Sequence, residues 1–202
     1  MSNLRSPTRS GYDRLSIVFH WATLFLLVAA FASIEGRVLF ERGTEIRTMT
    51  KELHYVLGLL ILLTTLARLT HRLGSGGRPT ITPMPATVMM MAAHVMAALL
   101  YAALLITPVL GLLSVQMLGD KVNLGFGLSV PAFIGADPEG GEIIEHLHSF
   151  FGDTLYVLIG GHAVAALAHH FLLRDSTLAN MAPMLAPTVA DGSSGTRIKA
   201  MR

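Results

Sequence analysis

The chain has 202 residues, of which 52% are hydrophobic and 14% charged, with mean hydropathy +0.56 and a formal net charge of +2. So apolar a composition excludes an ordinary soluble domain and indicates an integral membrane protein, with lipid as its surroundings and no nucleic acid as a partner. Cysteine is absent, which excludes disulfides, iron–sulfur ligation, covalent c-type haem attachment and thiolate catalysis. Any redox centre then rests on histidine, methionine or a bound organic cofactor.

Residues 1–14, MSNLRSPTRSGYDR, form a polar, basic segment broken at Ser6-Pro7. Four apolar stretches follow, at about 15–36, 53–73, 86–117 and 143–173. Each is long enough to cross roughly 30 Å of hydrocarbon, which takes about 20 residues. No cleavable signal pattern is evident in the first, which is expected to remain as a span. A charged connection from Arg37 to Glu52 separates spans one and two. GSGGRPTITPMP (74–85) cannot continue a helix, and Pro108 is a potential kink inside span three. The connection GDKVNLGFGLSVPAFIGADPEGGE leads to span four, residues 176–202 are expected as a C-terminal tail, and its final PMLAPTVADGSSGTRIKAMR reads as mobile. The expected fold is all-α, an integral membrane four-helix up-down-up-down bundle occupying residues 15–175, with both termini on one side.

Ten Lys/Arg (Arg5, Arg9, Arg14, Arg68, Arg72, Arg78, Arg174, Arg197, Lys199, Arg202) lie at the end of the bundle carrying the termini. Five (Arg37, Arg42, Arg47, Lys51, Lys121) lie at the other. The bias of basic residues toward the cytoplasm places both termini there.

The chemistry is concentrated in histidine. His148 and His162 are fourteen residues apart, a spacing that returns a helix to nearly the same face after a rise of about 21 Å. His20 begins span one at the depth of His162, and His54 begins span two at the depth of His148. The topology therefore pairs His20 with His162 and His54 with His148, one pair per leaflet. Two such pairs suit two bis-histidine haem b groups enclosed by the bundle. Imidazoles held in hydrocarbon need a partner in any case.

A porphyrin lying against a helix needs small side chains one turn from its ligand. Gly58 follows His54 by four residues, Gly152 follows His148 and Ala166 follows His162, whereas His20 is followed by Leu24. Arg68, fourteen residues after His54, is placed either to hold haem propionates or to snorkel to the interface. Arg14 and Arg72 are further candidates for that role. His71 reads as interfacial, His146 as loop or outer surface, and His170 points elsewhere. His94 either faces a cofactor edge or bonds a neighbouring helix. His169 either hydrogen-bonds a quinone carbonyl or meets the cytoplasmic headgroups. Met89, Met90 and Met91 read as lipid-facing packing rather than a metal site. A zinc or copper channel, the rival use of intramembrane histidine, would want acid or sulfur partners at mid-membrane, and span four supplies only Asp153.

At these residues the sequence resembles the bacterial four-helix di-haem cytochrome b-561 family, which is similar to the haem b subunits of nickel–iron hydrogenases and includes a superoxide:ubiquinone oxidoreductase. The carriers are YDRLSIVFHW, ELHYVLGLLILLTTLARLTHR, HVMAALLYAALLITPVLGLL, NLGFGLSVP, and LHSFFGDTLYVLIGGHAVAALAHHF with RDSTLANMAP, from about Tyr12 to Pro183. The resemblance implies haem-iron ligation by His20, His54, His148 and His162, and a quinone as one electron partner. It implies an oxidoreductase of the bacterial inner membrane that oxidises superoxide at the periplasmic face and reduces ubiquinone. The alternatives are a b-type subunit relaying electrons between quinone and a partner dehydrogenase, hydrogenase or soluble cytochrome, and a non-redox metal transporter. The chain departs from the family pattern at Asn180, where Arg is frequent. The Glu-rich connections opposite the termini also differ from a funnel for an anion, although Arg37, Arg42, Arg47 and Lys51 could form a local positive mouth.

Overall fold

In the computed structural model, residues 11–74, 80–125 and 127–182 are described. Four long helices, α1 (Arg14–Gly36), α2 (Glu45–Gly74), α3 (Thr87–Met117) and α4 (Pro138–Ala168), dominate the chain. All four are long and apolar enough to cross a membrane. Most of the basic residues at the chain ends, and the tail beyond Ala182, lie outside the described residues.

Local chemistry starts the helices. The Asp13 carboxylate accepts from the Ser16 backbone N–H at 3.2 Å and caps α1, satisfying a donor the first turn cannot pair internally. The same carboxylate pairs with His71 at 2.9 Å, so the start of α1 is tied to the end of α2. Asp137 caps α4 by accepting from Gly140 N at 3.2 Å, and Pro138 occupies the first helical turn, where its missing N–H costs nothing. α2 and α4 begin at Glu45 and Pro138, well ahead of their apolar runs. Hydropathy marks only the stretch lipid would cover, whereas capping and side-chain anchors extend a helix past it. Pro108 is accommodated inside a continuous α3.

The packed core is small. Leu27, Ala30, Leu57, Ile61, Ala103, Leu104 and Leu155 form it, while Phe25, Val157 and Val164 are about two-thirds or more exposed. Apolar side chains turned outward along every helix are what a lipid-covered bundle requires. α1 packs on α2, α2 on α3 and α3 on α4, but no Cα of α4 lies within 8 Å of α1 or α2. The bundle therefore has one open seam, and α4 faces α1 and α2 across it.

Opposite the chain termini, the long connection forms an antiparallel hairpin, β1 (Val122–Gly125) with β2 (Leu128–Val130). Gly125 and Gly127 adopt φ of 81° and 78° at its turn, a region open to glycine. Asn123 donates to Glu52 at 3.1 Å and Lys51 pairs with Asp120 at 3.1 Å, which pins the hairpin onto the start of α2. Gln116 donates to the Pro131 carbonyl and accepts from Phe133 N, holding the return toward α4.

Candidate functional site

The four histidines meet in pairs across the open seam. The ring centres of His20 (α1) and His162 (α4) are 6.2 Å apart, and those of His54 (α2) and His148 (α4) are 6.1 Å apart. Two imidazoles on opposite sides of one metal ion, each with its nitrogen about 2.0 Å from the metal, have ring centres roughly 6 Å apart. Both pairs therefore stand at a separation that admits one iron between them.

Near the hairpin, both imidazoles are oriented from behind. Nδ1 of His54 donates to the Ala30 carbonyl at 3.0 Å, and Nδ1 of His148 donates to the Thr107 carbonyl at 2.8 Å. A ring whose Nδ1–H is committed to a carbonyl presents the lone pair of Nε2, the tautomer a metal ligand needs. Gly111 makes this possible for His148. A Cβ on Gly111 would stand 2.8 Å from Cε1 and 2.9 Å from Nδ1 of that ring, so only glycine leaves the ring its place. Sequence reading passed over Gly111 because α3 contributes no ligand, and the Ala30 and Thr107 carbonyls carry no side-chain signal at all.

Near the chain termini the arrangement differs. The Arg68 guanidinium donates to Nδ1 of His20 at 3.2 Å. Arginine is donor only, so in this contact His20 keeps its own proton on Nε2. Ligation through Nε2 requires Arg68 to turn away, and a carboxylate nearby is the group that would draw it. Arg68 and Arg72 both lie over the Tyr101 ring, each 5.5 Å from its centre.

Space beside the imidazoles is present where the small residues fall. Nothing stands within 4 Å of a Cβ built on Gly58 or Gly152. Ala166 keeps its place one turn after His162, and the bulkier Leu24 one turn after His20 lines an apolar cavity of about 270 Å³ between α1 and α4, with Leu27, Val28, Phe31, Tyr156 and Ile159. Phe31 stacks on Tyr156 at 4.0 Å across the same seam. Among the described residues no cluster of three or more His, Cys, Asp or Glu is assembled to hold a bare metal ion. Two imidazoles facing across open space suit a metal that brings its other ligands with it.

A family model described as prokaryotic cytochrome b561 matches residues 11–184. The chain belongs to the prokaryotic cytochrome b561 family. It is 31% identical over 174 residues to "Cytochrome b561 homolog 1" of Escherichia coli (strain K12), covering 85% of this chain and 97% of that protein. It is 31% identical over 172 residues to "Probable superoxide oxidase CybB" of Yersinia pestis, covering 85% and 96%. "Cytochrome b561 homolog 2" of Escherichia coli (strain K12) is 27% identical over 184 residues, covering 90% and 95%. Membership makes this a bacterial membrane protein of electron transfer and implies b-type haem. The facing imidazoles, their carbonyl partners, the open space at Gly58 and Gly152 and the place Gly111 leaves for the His148 ring fit that group.

The remaining histidines of this cytochrome b561 chain separate cleanly. His94 and His146 are exposed. Met89 and Met91 are exposed as well, as lipid-facing packing requires. His71, in the last turn of α2, pairs with Asp13. His169 begins a π-helical turn, His169–Leu173, and its Nδ1 donates to the buried Asp175 carboxylate. Burial by itself would raise the Asp175 carboxyl, but hydrogen bonds from His169 and Thr177 outweigh it and hold the group below the ordinary carboxylate range. The segment after α4 is tied back to the bundle by Trp21 Nε1, which donates to the Met181 carbonyl at 3.0 Å. It is also tied by a reciprocal pair of bonds between Thr82 and Ser176. Neither Asp175 nor these ties was legible from spacing.

Proposed function

We propose that this chain carries electrons across the bilayer through two haem b groups, one held by His54 and His148 and the other by His20 and His162. The observation that carries the reading is the pair of imidazole meetings at 6.1 and 6.2 Å, which join helices whose backbones do not come within 8 Å of each other. When bound, each haem supplies a one-electron carrier. The chain's part is to orient the imidazoles through the Ala30 and Thr107 carbonyls, to exclude water with the apolar seam, and to neutralise carboxylates with Arg68. Both termini lie in the cytoplasm, as the basic residues favour, and the hairpin end faces the periplasm.

Superoxide is the proposed donor and ubiquinone the proposed acceptor. Two superoxide anions each give up one electron at the periplasmic end and leave as dioxygen. A quinone takes the two electrons with two protons at the cytoplasmic end and leaves as quinol. The His169–Asp175 pair stands where a quinone would meet the cytoplasmic surface. An imidazole backed by a carboxylate there can hold a proton at Nε2 and hand it to a reduced quinone oxygen. The 31% identity to a probable superoxide oxidase supports this choice of donor. The acidic side chains Glu35, Glu41, Glu45 and Glu52 near the same face favour a second reading, in which a partner protein supplies electrons to the same wire.

A reduced-minus-oxidised visible spectrum with pyridine haemochrome counting tests the cofactor: two haem b per chain are expected, and a colourless protein would refute it. Purified protein mixed with a superoxide source and a short-chain ubiquinone tests the chemistry. Quinol formation without any added protein supports the enzyme, whereas activity only after a redox partner is added supports the relay.

A further inference from the structure

Among the donors near the hairpin end that are sealed from solvent with nothing to bond among the described residues are Nε of Arg37 and the hydroxyl of Tyr55. Unmet buried donors are rare, because each gives up water without gaining a partner. Arg37 opens the 3-10 turn Arg37–Leu39 that ends α1. That turn is fixed by Arg47, whose Nη1 donates to the Arg37 carbonyl at 3.1 Å and to the Phe40 carbonyl at 2.7 Å. Tyr55 follows His54 directly on α2, and the Arg37–Leu39 turn packs against α2. Lys51, one turn before Tyr55, approaches its ring at 5.8 Å, but its ammonium is committed to Asp120 at 3.1 Å.

The buried Nε of Arg37 and the buried Tyr55 hydroxyl, neither with an acceptor and carried by the turn after α1 and by α2, which pack together near His54, describe a seat for a carboxylate. We propose that Arg37 and Tyr55 bind the propionate groups of the haem held by His54 and His148. The proposal rests on the two-haem reading and extends it to the end of the bundle opposite Arg68. Arginine matches a carboxylate with two parallel N–H donors, and a phenol adds a third. A small anion such as superoxide shares the chemistry but would have to arrive from solvent. Neither orphaned atom touches solvent, whereas a porphyrin entering the seam carries its carboxylates in with it.

The test uses the detergent-purified holoprotein and its Arg37→Gln, Tyr55→Phe and Lys121→Gln variants. Two quantities are read: the rate at which haem transfers to apomyoglobin, and the propionate bending bands in resonance Raman spectra. Arg37→Gln and Tyr55→Phe are expected to shift those bands and to release one of the two haems faster, on the order of tenfold. Lys121→Gln, an exposed cation at the same end of the bundle, is expected to leave both readouts unchanged. Tyr55→Phe removes a single oxygen and decides the matter if Arg37→Gln does not fold. Unchanged bands and unchanged release in these variants overturn the proposal, and a slower reaction with superoxide alongside them would assign the seat to the free anion instead. If His54→Ala and His148→Ala keep both haems, the two-haem reading itself fails. If they lose one while the Arg37 and Tyr55 variants behave as the parent, only the propionate seat fails.

Discussion

Gly111→Ala is the sharpest perturbation of the site, because it touches a ligand only through its position. The added methyl would stand 2.8 Å from His148 Cε1. The ring would have to retreat by about 0.6 Å to restore the 3.4 Å of ordinary contact. Retreat pulls Nδ1 off the Thr107 carbonyl, now 2.8 Å away, a bond contributing about 1 kcal/mol net. Displacing the partner that orients a metal-bound histidine costs roughly 10- to 100-fold in affinity for the metal group. Alanine is also the better helix former by about 1 kcal/mol, so thermal unfolding followed by circular dichroism should move little. The expected result is therefore selective: one haem leaves for apomyoglobin some 10- to 100-fold faster, the other leaves at the parent rate, and the fold survives. Equal rates for both haems in variant and parent would refute the argument that Gly111 clears the ring's place. A general loss of helicity would refute it too, by showing that Gly111 serves the fold.

Further expectations follow from individual contacts. His54→Ala and His148→Ala should each lose one haem, and the same one by spectrum; His20→Ala and His162→Ala should each lose the other. Loss of different haems within either pair would disprove the pairing. Asp13 is held well below the ordinary carboxylate range, chiefly by Ser16 and further by His71, against burial that raises it. Because the folded-state value is depressed, its stabilisation is complete above about pH 4 and disappears as pH falls through the folded value. Melting temperatures of Asp13→Asn should therefore lie below those of the parent at neutral pH and converge with them in acid. Trp21→Phe removes the bond to the Met181 carbonyl, at a cost of about 1 kcal/mol, and should speed amide exchange in residues 175–182 while leaving both haems bound. Asp175→Asn should slow quinone reduction without changing haem content, and an unchanged rate would remove His169 from the proton path.

The amino-acid sequence by itself determined how many helices there are and which way their histidines face. Both properties are local: apolar length sets the span, and a rise and turn per residue set the face, so His148 and His162 had to share one side of α4. The same arithmetic put Gly58 and Gly152 where room is left open. What covers the back of each ring is a different kind of fact. The Ala30 and Thr107 carbonyls, the clearance at Gly111, the Asp175 partner of His169 and the unmet donors of Arg37 and Tyr55 come from separate helices or from backbone atoms common to every residue. Only the tertiary structure could decide them, since helix packing chooses which neighbour a side chain meets. The hairpin between α3 and α4 shows the same division, for its glycines announce a turn while its anchoring to Lys51 and Glu52 depends on where α2 begins.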